Sequence, residues 1–249
     1  MPRHDSDGLP APFPMNEPRP DLPLASVLTE SAFRWAPAVT AVVPALRPLF
    51  HVRDRVPGDD SVAVTFDDGP HPEGTPAVLE SLAREQVRAT FFLVGEWAKR
   101  HPSLAAEIVA AGHEVGVHCY HHRLLLGMAP RHTREDLDRA AAAIADATGR
   151  DPRLYRPTFG VLTLPALRHA RRRGWEPLLW TRDAKDWKES ATPASVVLRL
   201  TAGLRAGDVM LLHDGDPDGR RTASRKVTAD SVPLVCEEIR RLGLRPVPL

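Results

Sequence analysis

Cysteine is nearly absent from this chain: only Cys119 and Cys236 occur among 249 residues, far apart, so no disulfide framework is implied and a reduced state is expected. A surplus of charge is missing too. Lys and Arg total 33 against 32 Asp and Glu, a net charge of +1, which removes any general pull towards polyanions and argues against a nucleic-acid partner. Arg168, Arg171, Arg172 and Arg173 end a predicted helix, where cations complement the helix dipole. There is no internal repeat and no clean apolar run of about 20 residues, so a transmembrane segment is not expected. The first 24 residues lack the basic start and core of about 7 to 15 apolar residues that an export signal needs. Cytoplasmic residence is therefore expected, or an extracellular or envelope location if the start is misassigned.

Proline, in contrast, is abundant. Of 25 prolines, seven fall within the first 23 residues, which marks residues 1–21 as a disordered or extended leader. In residues 22–60 apolar side chains thicken around Trp35, Val39, Val42, Val43, Leu46 and Leu49, broken by Pro37, Pro44 and Pro48; a helical extension packed on the following domain is expected. Residues 61–249 then read as one catalytic domain, with 43% hydrophobic content overall to build its core.

Strand-like runs at 61–66, 89–94, 113–117, 153–156, 175–180, 207–212 and 245–248 alternate with helical patterns at 75–87, 97–111, 133–149, 163–173, 192–204 and 229–242. Thr163 with Pro165 and Thr192 with Pro193 are helix starts, and Gly149, Gly174 and Gly243 fall where helices should stop. Such alternation argues for a parallel sheet with helices outside. Seven strands suit a distorted (β/α) barrel one short of the usual eight.

The chemistry-bearing residues follow strand ends. Thr65-Phe66-Asp67-Asp68-Gly69-Pro70 places two adjacent carboxylates at the end of the first strand, a repulsive arrangement unless a cation lies between them. After the third strand, His118-Cys119-Tyr120-His121-His122 offers imidazoles at i and i+4, which on a helical turn would share a face roughly 5–6 Å apart. Asp68, His118 and His122 would together form a two-histidine, one-carboxylate metal site with open positions for water and substrate. Arg156 follows the fourth strand, Asp183 the fifth and His213 the sixth. In parallel α/β barrels the loops at that rim converge on the active site.

These motifs, in this order, resemble the NodB-type polysaccharide deacetylases, carbohydrate esterase family 4. T-F-D-D-G-P stands without change at 65–70, H-x-x-x-H at 118–122, and an R-x-P-x-G-type motif at Arg156-Pro157-Thr158-Phe159-Gly160. Asp183-Ala184-Lys185-Asp186-Trp187 and Leu211-Leu212-His213 complete the set. The resemblance spans residues 61 to about 249. It implies a divalent metal, zinc before cobalt or nickel, held by Asp68, His118 and His122, and an N-acetylated glycan or glycoconjugate as substrate. It also implies Asp67 as general base oriented by Arg156, His213 as general acid tuned by Asp183, the Phe159 backbone N–H as oxyanion donor, and Trp187 with Leu211 as walls of the acetyl pocket. Cys119 stands where serine or threonine is usual, and Thr158-Phe159 where proline and tyrosine are common. A hydrolase of small linear or cyclic amides remains the alternative. A non-catalytic sugar-binding module would not need Asp67, Arg156 and His213 together, and non-haem iron chemistry would not need the second acid or the distal histidine.

Overall fold

The computed structural model describes residues 36–216 and 222–249. The proline-rich leader and the beginning of the expected extension, Trp35 included, lie outside the described residues. Among the described residues eight strands form: β1 (Ser61–Asp67), β2 (Thr90–Leu93), β3 (Glu114–Val117), β4 (Leu154–Tyr155), β5 (Glu176–Pro177), β6 (Arg182–Asp183), β7 (Val209–His213) and β8 (Arg245–Pro246). Seven of them run parallel in the order β5-β4-β3-β2-β1-β7-β6 and curl into a half-barrel, while β8 pairs with the first two residues of β1. Helices α1 (Gly74–Arg84), α2 (Gly95–Arg100), α3 (Pro102–Ala110), α4 (Pro130–Thr148), α5 (Leu164–Arg172), α6 (Pro193–Thr201) and α7 (Thr222–Arg241) join them. None of these helices is long and apolar enough to cross a membrane among the described residues.

Several expectations need correction. The single helix at 97–111 is two, because Pro102 cannot continue the helix that ends at Arg100 and instead starts the next. The strand expected at 175–180 is cut to two residues, and a separate strand forms at Arg182–Asp183. The helical extension expected ahead of the sheet is present in its described part as three 3₁₀ turns, Ala36–Ala41, Pro44–Leu46 and Pro48–Phe50, the last two opening on prolines. Thr163 and Thr192 do cap α5 and α6 through their hydroxyls.

The segment after these turns reaches from the end of strand β5 to the residues just ahead of β7. Arg53 bridges Leu178 in parallel and Arg55 bridges Asp208 in antiparallel fashion. Arg47, buried, anchors it by donating to Asp54 at 2.7 Å and to the Trp180 carbonyl at 2.8 Å.

Strand periodicity decides which side chains face the site. On β1, Val62, Val64 and Phe66 join the large core under the helices, whereas Ala63 belongs to the inner cluster with Phe92, Leu154, Leu178 and Val209. Alternation therefore sends Thr65 and Asp67 inward. The same rule on β7 puts Met210 and Leu212 outside and leaves Leu211 and His213 inside. Gly116 is required on β3, since a side chain there would overlap the Phe92 ring.

Candidate active site

Register builds the site in layers. Asp67 pairs with His213 across β1 and β7, and one step lower Thr65 pairs with Leu211, which in turn pairs with Asp183. The inward residues line a cavity of about 310 Å³ that holds Asp67, Asp68, His118, His122, Asp183 and His213, with Phe159, Trp180, Trp187 and Leu211 as its aromatic and apolar wall.

Asp68, His118 and His122 come together so that one ligand atom from each lies within 4.8 Å of the others. They do so without the expected helical turn. Residues 118–122 form an irregular loop in which Cys119 takes φ 64°, and Asp68 likewise takes φ 78°. Left-handed conformations at non-glycine residues cost energy and must be held by their surroundings. Asp68 Oδ1 faces His122 Nε2 at 3.2 Å and His118 Nε2 at 3.5 Å. That oxygen is buried and accepts no hydrogen bond. On the far side of its ring, His118 Nδ1 lies 2.8 Å from the Arg156 carbonyl, which can only accept, so Nδ1 carries the hydrogen and Nε2 is the atom left facing Asp68. Three lone pairs aimed at one point, one of them on a buried carboxylate without a donor, fit a divalent cation.

Burial opposes a charge on His118, but Asp67, Asp68 and the Arg156 carbonyl outweigh it and raise its pKa, so a cation between these acids would be what keeps that ring neutral. Burial pushes Asp68 up, but His118, His122 and His213 outweigh it and hold the carboxyl at about 2. Burial lowers His122, keeping it neutral as a ligand must be. Cys119 is fully buried and its thiol is pushed up to about 12 by burial first and Asp136 second, so it is a packed filler and not a nucleophile.

Asp67 stands beside this triad, its Oδ2 3.7 Å from His118 Nε2, but its other oxygen is taken up elsewhere. Arg156, whose side chain is fully buried, donates to Asp67 Oδ1 at 2.7 Å and to Thr65 Oγ1 at 2.8 Å, and its guanidinium lies 4.0 Å from the Phe92 ring centroid. Phe159 takes φ 58°, is 59% exposed at the cavity mouth, and packs on His122 with ring centroids 4.7 Å apart.

The expected partner of His213 is wrong. Asp183 receives the Lys185 backbone N–H, whereas Asp186 lies 2.8 Å from His213 Nδ1 and also accepts from the His213 backbone N–H at 2.8 Å. The reason is register: Asp183 sits on the Leu211 layer, and a turn with Lys185 at φ 51° lifts Asp186 to the layer of His213. Thr228 from α7 completes the support by donating to Asp186 at 2.6 Å. Asp186 and Thr65 both lie within motifs already quoted, so a signal for them is present in the sequence; Thr228 and Trp180 have none. Burial opposes a charge on His213, but Asp186, with smaller help from Asp68 and Asp67, raises its pKa to about 10.

Comparison with known proteins agrees with this geometry. Residues 54–178 match the family described as Polysaccharide deacetylase. The chain is 34% identical over 211 residues to a chitooligosaccharide deacetylase of Bradyrhizobium sp., covering 81% of this chain and 96% of that one. It is 30% identical over 204 residues to a peptidoglycan-N-acetylglucosamine deacetylase of Bacillus cereus, covering 80% and 92%. The crystal structure of the Bc1960 peptidoglycan N-acetylglucosamine deacetylase superposes with a TM-score of 0.76 at 26% identity, over 82% of this chain and 94% of that one. With the half-barrel, the Asp-His-His triad and these relatives in agreement, the chain belongs to the NodB-like polysaccharide deacetylases of carbohydrate esterase family 4.

Proposed function

We propose that this enzyme removes the N-acetyl group from N-acetylglucosamine units of a chitooligosaccharide or of peptidoglycan, releasing acetate and leaving a free amine. The observation that carries this reading is the separation of roles around one cavity. Asp67 is bound by Arg156 and left out of the triad, while His213, backed by Asp186, faces it across the β1–β7 pair.

A divalent ion held by Asp68, His118 and His122 would polarise the acetyl carbonyl and acidify the attacking water; two imidazoles and a carboxylate favour zinc, with cobalt or nickel as substitutes. Asp67, held in place by the guanidinium, takes the proton from that water. The Phe159 backbone N–H donates to the developing oxyanion. His213 gives its proton to the departing nitrogen, and Asp186 holds the ring in place and stabilises its charged form. Trp187 and Leu211 flank the acetyl methyl. Asp183 keeps a place in the cavity wall but not the tuning role.

Two observations favour a glycan over a small amide. Phe159 and Trp187 stand partly exposed at the mouth, where flat apolar rings suit the faces of sugars, and both named relatives are deacetylases of glycans. Incubation with acetylated chitooligosaccharides, peptidoglycan fragments and small amides, with acetate and free amine measured, tests the choice. Acetate released from small amides alone would overturn it.

Metal dependence has its own test. Purified protein should carry close to one divalent ion per chain, and His118→Ala should lose most of it together with activity. Elemental analysis showing full metal content in His118→Ala would remove His118 from the ligand set.

A further inference from the structure

Asp214 is used by no step above. It follows His213 in the chain, it is fully buried, and its Oδ1 has no hydrogen-bond partner. Leaving a buried acceptor without a donor costs stability, so packing alone does not account for a carboxylate here.

What Asp214 touches is the loop that carries both catalytic-site acids. Its backbone N–H donates to the Asp67 carbonyl at 3.1 Å. Its Oδ2 accepts from the Thr75 hydroxyl at 2.5 Å, and that hydroxyl oxygen in turn accepts from the His71 N–H at 2.7 Å. One residue thus grips the loop at Asp67 and, through Thr75, at His71. Between these points the carboxyl lies against Gly69, where any side chain would overlap it, and the neighbouring Gly215 lies equally close to the Asp68 carbonyl. The loop it supports is the one in which Asp68 is held at φ 78°. A left-handed aspartate persists only where its neighbours over-determine it.

We propose that Asp214, acting through Thr75, is a positioning residue that locks the Asp67–His71 loop in its left-handed form. It thereby sets the aim of Asp68 at the metal and fixes both acids relative to His213. This rests on the metal-dependent reading above. Outer partners of metal ligands typically change affinity or activity by about 10- to 100-fold, and the Asp214–Thr75 pair falls in that class.

The test measures Zn²⁺ affinity by chelator competition alongside steady-state kinetics. Thr75→Val keeps the side-chain shape but removes the hydroxyl; it and Asp214→Ala should each weaken Zn²⁺ binding and lower kcat by about 10- to 100-fold, with KM little changed. Thr75→Ser, which keeps the hydroxyl, should restore both. Because the two residues form one chain of hydrogen bonds, the double variant should lose no more than the worse single one. Folded Thr75→Val with wild-type Zn²⁺ affinity, losses that multiply in the double variant, or Thr75→Ser as damaged as Thr75→Val would each overturn the proposal. Wild-type protein that binds no Zn²⁺ would overturn the metal reading and this inference with it, whereas tight wild-type binding with unaffected variants overturns this inference alone.

Discussion

Asp67→Asn should retain its metal yet lose roughly 10² to 10⁴ in kcat, the span expected when a positioned general base is removed. The geometry separates the two acids, since Asp67 hydrogen-bonds Arg156 and reaches only His118, at 3.7 Å, while Asp68 faces both imidazoles. Asp68→Asn should accordingly lose metal first, and activity with it. The substitution at Asp67 carries a structural cost as well. It leaves a fully buried guanidinium without its counter-ion, a change that typically destabilises by about 3 to 5 kcal/mol. The lower end is expected, because Thr65 Oγ1 and the carbonyls of Leu178 and Leu179 still accept from Arg156. Denaturant unfolding, metal analysis and kcat on the same preparation separate the two effects. An Asp67→Asn protein that loses its metal while Asp68→Asn keeps it would mean the two acids exchange roles.

His213→Ala should abolish the basic limb of the pH profile and should harm amide hydrolysis far more than hydrolysis of an acetyl ester, whose leaving group needs less help from a proton. With an ionised base and a protonated acid both required, the wild-type profile should be a bell. Its basic limb should lie below about 10, because a cation beside Asp68 would offset the share of the rise that Asp68 and Asp67 contribute. Asp186→Asn removes the main source of that rise and should move the limb to lower pH. Asp183→Asn should leave the position of the limb unchanged, since Asp183 bonds Lys185 and not His213. The sign for stability follows: a raised histidine pKa contributes fully below about pH 6.5 and is lost as pH rises through about 10, so the stability gap between wild type and Asp186→Asn should narrow across that window. Equal damage to amide and ester in His213→Ala, with the basic limb still in place, would remove His213 as the acid.

The sequence by itself determined the architecture and the chemistry on offer. Seven apolar runs alternating with helical patterns were enough for a parallel half-barrel, because side-chain burial on strands and helices has a local period. Thr163 and Thr192 were legible as caps for the same reason: a hydroxyl and the backbone it bonds are three residues apart. The two acids at 67–68, the histidines at 118 and 122, Arg156 and His213 were legible because each lies at a strand end or in the loop that follows it, and those loops converge on one rim. What only the tertiary structure decided was which carboxylate meets which partner. Asp183 and Asp186 are three residues apart, and the choice between them depends on the register of β6 on β7 and on the left-handed Lys185. The pairing of His118 with His122 likewise comes from an irregular loop bent at Cys119, where a helical turn was expected. Thr228 and Asp214 reach the site from 42 and 139 residues beyond the groups they bond, Asp186 and Thr75. Contacts across such separations leave no periodic trace in a sequence. They are fixed by how layers stack, and the stack exists only once the sheet has closed around its core.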